Sequence, residues 1–289
     1  MRIQKKGLML VSKNINTLKN SLDEWKSSGF SIGFVPTMGA LHQGHVSLIE
    51  QAISKNNKVV CSIFVNPTQF NDLKDLENYP KKIEEDLALL KKVGCDLVFI
   101  PSIKDMYPKG NEILKFNLNG LDSIMEGAKR PGHFDGVCTI VNKLFKIVQP
   151  NNAYFGQKDF QQLAIIRQLN ENQNFNINIF GCPIIREKDG LAMSSRNSLL
   201  NTKERIIAKN IFNILLKAKA QFPDLSIEEV KSFVEIELNA VSAFSIDYVE
   251  IVNTKTLKPL NNLEKNEPAI LCVAVFLGSV RLIDNILLN

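Results

Sequence analysis

Short apolar, β-compatible runs alternate with amphipathic stretches through roughly the first 180 residues, the pattern of a parallel sheet covered by helices. The run 31–36 leads through a Gly-containing turn into a helix over 44–55, whose Val46, Ile49 and Ile53 share the face that packs on a sheet. Residues 58–66, rich in Val and Ile, form the next strand. A helix is predicted over 80–93, with Pro80 in its first turn and Gly94 as its stop, and a strand at 96–100 completes a βαβ crossover. Helices at 137–148 and 160–170 and strands at 152–155 and 176–185 continue the alternation.

After Arg186 the order changes. A polar loop runs to Asn201, followed by helices at 203–221 and 227–240 and three β-like runs at 246–252, 269–277 and 280–286. Ser226 and Glu229 form a capping box that sets the second helix start, each side chain meeting an orphan N–H of the first turn. The chain therefore reads as α/β: a parallel-sheet domain over 1–182 and a smaller C-terminal α+β domain over 183–289, with the boundary between Gly181 and Arg186.

A length of 289 residues accommodates both domains. The apolar run 269–277 is too short to cross a membrane, and no signal-type apolar stretch follows Met1 to Lys6. Five cysteines without a C-x-x-C pair argue against a disulfide framework or a zinc cage, which points to the reducing cytoplasm. The net charge of +5 comes from scattered lysines rather than a stripe interleaved with aromatics, so the balance suits a small anionic substrate better than nucleic acid.

Between the first strong strand and its helix lies Pro36-Thr37-Met38-Gly39-Ala40-Leu41-His42-Gln43-Gly44-His45. Two imidazoles three residues apart at a helix N-terminus, with Gly39 and Gly44 leaving room for close backbone approach, suit phosphate. A tight turn with two surface histidines is the plain alternative. Walker A and GxGxxG loops are absent, and zinc would need more ligands than His133 and isolated cysteines provide. A second turn, Gly156-Gln157-Lys158-Asp159 before Phe160-Gln161-Gln162, offers an ammonium, although Asp159 with Gln162 also reads as a helix cap and its partner. A third segment, Met193-Ser194-Ser195-Arg196, lies on a Gly-containing loop suited to closing over polyphosphate. Asn66, Gln69 and Tyr79 follow one strand, and Arg130, His133 and Asp135 lie before a helix; open α/β sheets bind ligands at strand C-termini. For Asn66 turn chemistry, and for Asp135 a cap, are the plain alternatives.

PTMGALHQGH, FVNPTQF, NYP, RPGHFDGV, FGQKDFQQL, REKDGLAMSSRN and RLIDN together resemble the pantothenate synthetase family, the ligases of pantoate and β-alanine in the HIGH-type nucleotidyltransferase superfamily. The resemblance spans nearly the whole chain. It implies a Rossmann-like N-terminal domain, a C-terminal lid domain, a homodimer, and ATP with Mg²⁺. It further implies that Pro36, Thr37, Met38 through His45, and Gly156 through Asp159 bind ATP, with Ile185 lending backbone to the adenine. Met193 to Arg196 stand as a version of the K-M-S-K-S loop, with Ala192 where its first lysine often stands. Gln69 and Gln162 match residues that hold pantoate, Gln69 also meeting β-alanine. Asn66, Tyr79, Arg130 and His133 join them in the substrate site.

His45 matches a proton donor, and His42, Lys158 and Arg196 complete the catalytic group, with charge neutralisation shared among the histidines, the lysine and the loop. Gln157 replaces a usual Glu, and Ser279-Val280 replaces a usual Gly-x-Thr-Arg stretch before Arg281. Another HIGH-type adenylyltransferase, a non-enzymatic nucleotide-binding module and a tRNA synthetase fragment are the rival readings.

Overall fold

A computed structural model describes residues 8–222, 224–262 and 267–289, so the expectation about the stretch Met1 to Lys6 falls outside the described residues. The chain runs β1 (Leu10–Ser12), α1 (Ile15–Ser27), β2 (Ile32–Thr37), α2 (Gln43–Lys55), β3 (Lys58–Ile63), α3 (Leu73–Asn78), α4 (Ile83–Val93), β4 (Leu97–Phe99), α5 (Ile103–Met106), α6 (Met125–Lys129), α7 (His133–Val148), β5 (Asn152–Gly156), α8 (Phe160–Asn172) and β6 (Asn178–Cys182). It continues with α9 (Thr202–Ala208), α10 (Asn210–Gln221), α11 (Ile227–Asn239), β7 (Phe244–Asn253), β8 (Ala269–Leu277) and β9 (Val280–Leu287).

Side-chain alternation builds the first sheet. Ile32, Phe34, Val60, Leu97 and Phe99 enter one buried layer with α1 and α7, whereas Val35, Val59, Cys61, Ile63 and Val98 enter the opposite layer with α2 and α4. The strand order is β1-β4-β3-β2-β5-β6, and every pairing is parallel. β2 therefore has β3 on one side and β5 on the other. This reversal of strand order opens a crevice at the strand C-termini, where the turns after β2 and β5 meet. The second sheet, β7-β8-β9, is antiparallel and shares a core with α10 and α11.

Several element boundaries differ from the sequence reading. α4 begins at Ile83, not Pro80, because Tyr79 before the proline is extended, Lys82 at ψ 51° is not yet helical, and the first helical turn is set by Asp86 donating its N–H to the Lys82 carbonyl. α7 begins at His133, four residues early, since Gly132 at φ 80° turns the chain into the helix; Asp135 therefore sits inside the first turn and does not cap it. The helix expected over 203–221 is broken at Lys209, whose ψ of −24° tightens the turn between α9 and α10. β3 and β6 end at Ile63 and Cys182, short of Asn66 and Ile185. The five cysteines are buried and free, and among the described residues no helix is long and apolar enough to cross a membrane.

Candidate active site

The turn after β2 is built around a buried carboxylate. Asp86, reaching from α4, accepts the N–H groups of Ala40 at 2.9 Å and Leu41 at 2.7 Å. Those bonds hold Gly39 and Ala40 at φ 83° and 49°, in the left-handed region. A side chain at Gly39 would stand 3.0 Å from the Asp86 carboxylate, and one at Gly44 would stand 2.8 Å from the His42 ring. Both glycines thus make room for protein groups, a requirement of the fold that stands beside the expected close approach of a nucleotide.

His42 is the N-cap of α2, its Nδ1 accepting the Gly44 N–H at 3.1 Å, and His45 Nδ1 accepts the His42 N–H at 3.3 Å. A neutral imidazole that accepts at Nδ1 carries its proton on Nε2, so each ring keeps one N–H donor. Burial, reinforced by Lys158, pushes the His42 pKa down to about 4. Burial, then His42 and Lys158, pushes His45 down to about 3. The histidines are half-buried, and with their pKa values held this low both rings are neutral at neutral pH. Their share in charge neutralisation is replaced by N–H dipoles, and the positive charge comes from Lys158 and Arg196.

Lys158 stands in the turn after β5. Asp159 occupies the N-cap position of α8 but makes no side-chain cap bond, so the capping explanation for that pair fails and Gln162 is left to line the cleft. The loop after β6 comes back over this point: Ser195 Oγ donates to the Ala40 carbonyl at 3.0 Å, and Met193 N–H to the Ile185 carbonyl at 3.0 Å. Arg196 is also engaged, through Nε at 3.3 Å and Nη2 at 2.8 Å to Asp75 on α3, with its guanidinium 5.6 Å from the centre of the Tyr79 ring.

Gln69 is held from several sides. Asn66 donates from Nδ2 to Gln69 Oε1 at 3.0 Å and to the Gly136 carbonyl at 3.1 Å, while its Oδ1 accepts from Thr68 and Tyr107. The Gln69 Nε2 faces Met38 Sδ at 3.1 Å. His133 Nδ1 lies 2.7 Å from the Gln69 carbonyl and its Nε2 lies 3.2 Å from Arg130 Nη1. Since a carbonyl only accepts and a guanidinium only donates, the His133 proton is on Nδ1, and burial beside Arg130 lowers its pKa to about 4. Asn66 and His133, expected to touch substrate, line the two cavities described next and have these groups bonded to the protein, so that they also orient Gln69; Arg130 supports the same carbonyl and faces the larger cavity.

Two cavities receive these groups. The smaller, about 230 Å³, is lined by Pro36, Thr37, Met38, His42, Gly44, His45, Asn66, Gln69, Tyr79, Gly156, Ile185 and Met193. The larger, about 690 Å³, lies between α3, α6, α8 and β9 and includes Arg130 and His133. Both are lined by Lys158, Asp159, Gln162, Ser194 and Arg196, while Ser195 faces only the smaller. Gly39 and Gln157 line neither: Gly39 packs on Asp86, and Gln157 lies beside Gly181 on β6.

Sequence reasoning missed Asp75, Asp86 and a charged clamp between α6 and the second sheet. Arg281 on β9 donates to Glu126 on α6 at 2.7 and 2.9 Å and to Asp247 on β7 at 2.7 and 3.0 Å. Glu126 also accepts the Tyr248 hydroxyl at 3.0 Å. The retained Arg281 after Ser279-Val280 was the only local signal of it.

The family model described as pantoate-beta-alanine ligase matches residues 10–287. A pantothenate synthetase of Phocaeicola vulgatus is 49% identical over 279 residues, covering 96% of this chain and 99% of that protein. The crystal structure of pantothenate synthetase from Thermus thermophilus superposes with a TM-score of 0.90 at 40% identity, covering 97% of this chain and 99% of that one. That of the ligase from Francisella tularensis, complexed with beta-gamma ATP and beta-alanine, gives 0.82 at 38% identity over 97% and 98%. With a near-complete match and the motifs of both crevice turns gathered on shared cavities, this chain belongs to the pantoate–β-alanine ligase family, the enzymes called pantothenate synthetases.

Proposed function

We propose that this enzyme condenses pantoate with β-alanine in two steps, through a pantoyl adenylate, using ATP and releasing pyrophosphate and AMP. A carboxylate is a poor electrophile toward an amine at neutral pH. In the first step a pantoate carboxylate oxygen attacks the α-phosphorus and the bond to the β-phosphate oxygen breaks. In the second, the uncharged amine of β-alanine attacks the acyl carbon, AMP departs with the bridging oxygen, and the amine loses a proton. The observation that carries this reading is the shared lining of the two cavities: Lys158, Ser194 and Arg196 stand where a cleft holding His42, His45, Gln69 and Gln162 meets a second one. The Francisella tularensis relative, complexed with beta-gamma ATP and beta-alanine, supports the same pair of ligands here.

The site roles follow from what each group can donate. His42 and His45 offer neutral N–H donors to oxygens on the α-phosphate, His45 being the donor nearest the attack. Lys158 and the 193–196 loop stabilise charge on the departing pyrophosphate, as preorganised donors in a dry cleft do. Arg196 reaches the nucleotide by exchanging its partner Asp75. Gln69 and Gln162 bind the hydroxyls and carboxylate of pantoate. Mg²⁺ is the proposed metal partner of ATP; among the described residues no group of three or more His, Cys, Asp or Glu is placed to hold it, which fits a metal that would be held mainly by the nucleotide's phosphates and would offset their charge. Residues 1–182 form the catalytic domain and 183–289 the lid, in a cytoplasmic homodimer. Pantoate-dependent ATP–pyrophosphate exchange without β-alanine tests the first step; exchange that requires β-alanine would contradict it.

A further inference from the structure

The Arg-Leu-Ile-Asp-Asn run of β9 is a motif to which the reaction gives no group. Strand alternation places Arg281 and Asn285 on one face, and both reach the first sheet's domain. Arg281 reaches Glu126, whereas Asn285, only 6% exposed, donates from Nδ2 to the carbonyls of Gln157 at 3.0 Å and Lys158 at 2.9 Å. In a strand, successive carbonyls point to opposite sides. Two successive carbonyls that meet one nitrogen therefore select a turn, and this turn carries Lys158. Its other side is anchored to β6 by the Gln157 N–H donating to the Cys182 carbonyl at 2.8 Å.

Asn285 is itself held. Asp284, 3% exposed, pairs with both Nη atoms of Arg186 at 2.6 and 3.0 Å, and Arg186 Nη2 also donates to the Asn285 carbonyl at 3.3 Å. The guanidinium stacks 3.6 Å from the centre of the Phe212 ring, and Nη1 donates to the Gly190 carbonyl at 3.1 Å. Arg186 pairs with Ala192, the residue before the 193–196 loop. One buried knot thus ties the Lys158 turn and the root of that loop to the C-terminal sheet.

We propose that Asn285 is a positioning residue of the nucleotide site: through the Gln157 and Lys158 carbonyls it fixes where the Lys158 ammonium stands, with the Asp284–Arg186 pair holding it in place. An amide is required, because an aspartate would turn oxygens with no proton toward both carbonyls. This rests on the placement of Lys158 at the nucleotide.

The test is pantoate-dependent ATP–pyrophosphate exchange by Asn285→Ala and Asn285→Asp, each alone and combined with Lys158→Ala. Alone, Asn285→Ala lowers the exchange rate by about ten- to a hundredfold, the scale of an ångström-sized misplacement, and Asn285→Asp by at least as much, with the pantoate KM within about twofold of the parent. In the Lys158→Ala background either change costs less than about threefold, because a residue that acts through Lys158 has nothing left to position. Near-parental exchange in both single variants, or losses that multiply in the double variants, overturns the proposal. If Asn285→Ala lacks a cooperative melt, Asn285→Ser, which keeps one donor, is read by the same criteria. Parental exchange by Lys158→Ala alone overturns the Lys158 assignment and this proposal with it, whereas impaired exchange with independent Asn285 losses removes this proposal only.

Discussion

Replacing Arg281 with alanine leaves two carboxylates facing each other with their shared cation gone. Arg281 Nη2 donates to Glu126 Oε1 at 2.9 Å and to Asp247 Oδ2 at 2.7 Å, and the two carboxylate side chains are 10% and 15% exposed. Charges that both touch one nitrogen stand within roughly 5 Å, where they repel by about 3 kcal/mol at an effective dielectric constant of about 20. Lys129 at 3.5 Å from Asp247 and Arg130 at 3.6 Å from Glu126 offset part of this, while the lost charge-assisted bonds add to it. Arg281→Ala should therefore destabilise the protein by about 3–4 kcal/mol, and Glu126→Ala by only about 2 kcal/mol because Arg281 keeps Asp247. The double variant should be no less stable than Arg281→Ala, since no facing pair remains.

Equilibrium unfolding in urea, followed by circular dichroism at about pH 7.5 and about pH 5, reads all three variants. Acid that neutralises either of the two facing carboxylates removes their repulsion, so the deficit of Arg281→Ala shrinks as pH falls. A loss under about 1 kcal/mol at pH 7.5, or a deficit equal at both pH values, refutes the reasoning.

His45→Ala should lower pantoate-dependent exchange by about 10²- to 10³-fold, the usual loss of one preorganised donor; parental exchange contradicts the role. With His42 held to about 4 and His45 to about 3, both rings should keep neutral-form proton resonances down to about pH 5, and a titration near 6.5 would refute their burial. Depressed histidines contribute stability that is complete above about pH 6.5 and lost as pH falls toward those values, so acid should weaken the fold first through these rings. Lys158→Ala should cut exchange by about two orders of magnitude while barely slowing attack of β-alanine on supplied pantoyl adenylate; equal loss in both halves would move Lys158 onto the acyl group. Gln69→Ala and Gln162→Ala should raise the pantoate KM more than the ATP KM, each losing about 1–3 kcal/mol of binding, and titration of both substrates decides it.

Local patterns carried much of this structure. The alternation that separates Ile32 and Phe34 from Val35 is a property of six residues, and the turn between β2 and α2 is visible because strand, glycines and helix are contiguous. What could not be read was partnership at long range. Ala40 meets Asp86 across 46 positions, Arg196 meets Asp75 across 121, and Arg281 meets Glu126 across 155, and no periodicity says which carboxylate will face which donor. Residue type also misled where burial decides. Histidine suggests charge near neutrality, yet desolvation removes it from His42 and His45. Asp159 and Gln162 have the spacing of a cap and its partner, but the Asp159 side chain makes no cap bond, which only the folded cleft reveals.

The most direct test of the central claim uses pantoate labelled with ¹⁸O in its carboxylate. If that oxygen attacks the α-phosphorus and leaves with the nucleotide, turnover with ATP and β-alanine must yield AMP carrying one ¹⁸O atom and unlabelled pyrophosphate. Formation of ADP with the label in inorganic phosphate would instead mean attack on the γ-phosphorus, and would contradict the adenylate route and the roles assigned to His45 and Lys158.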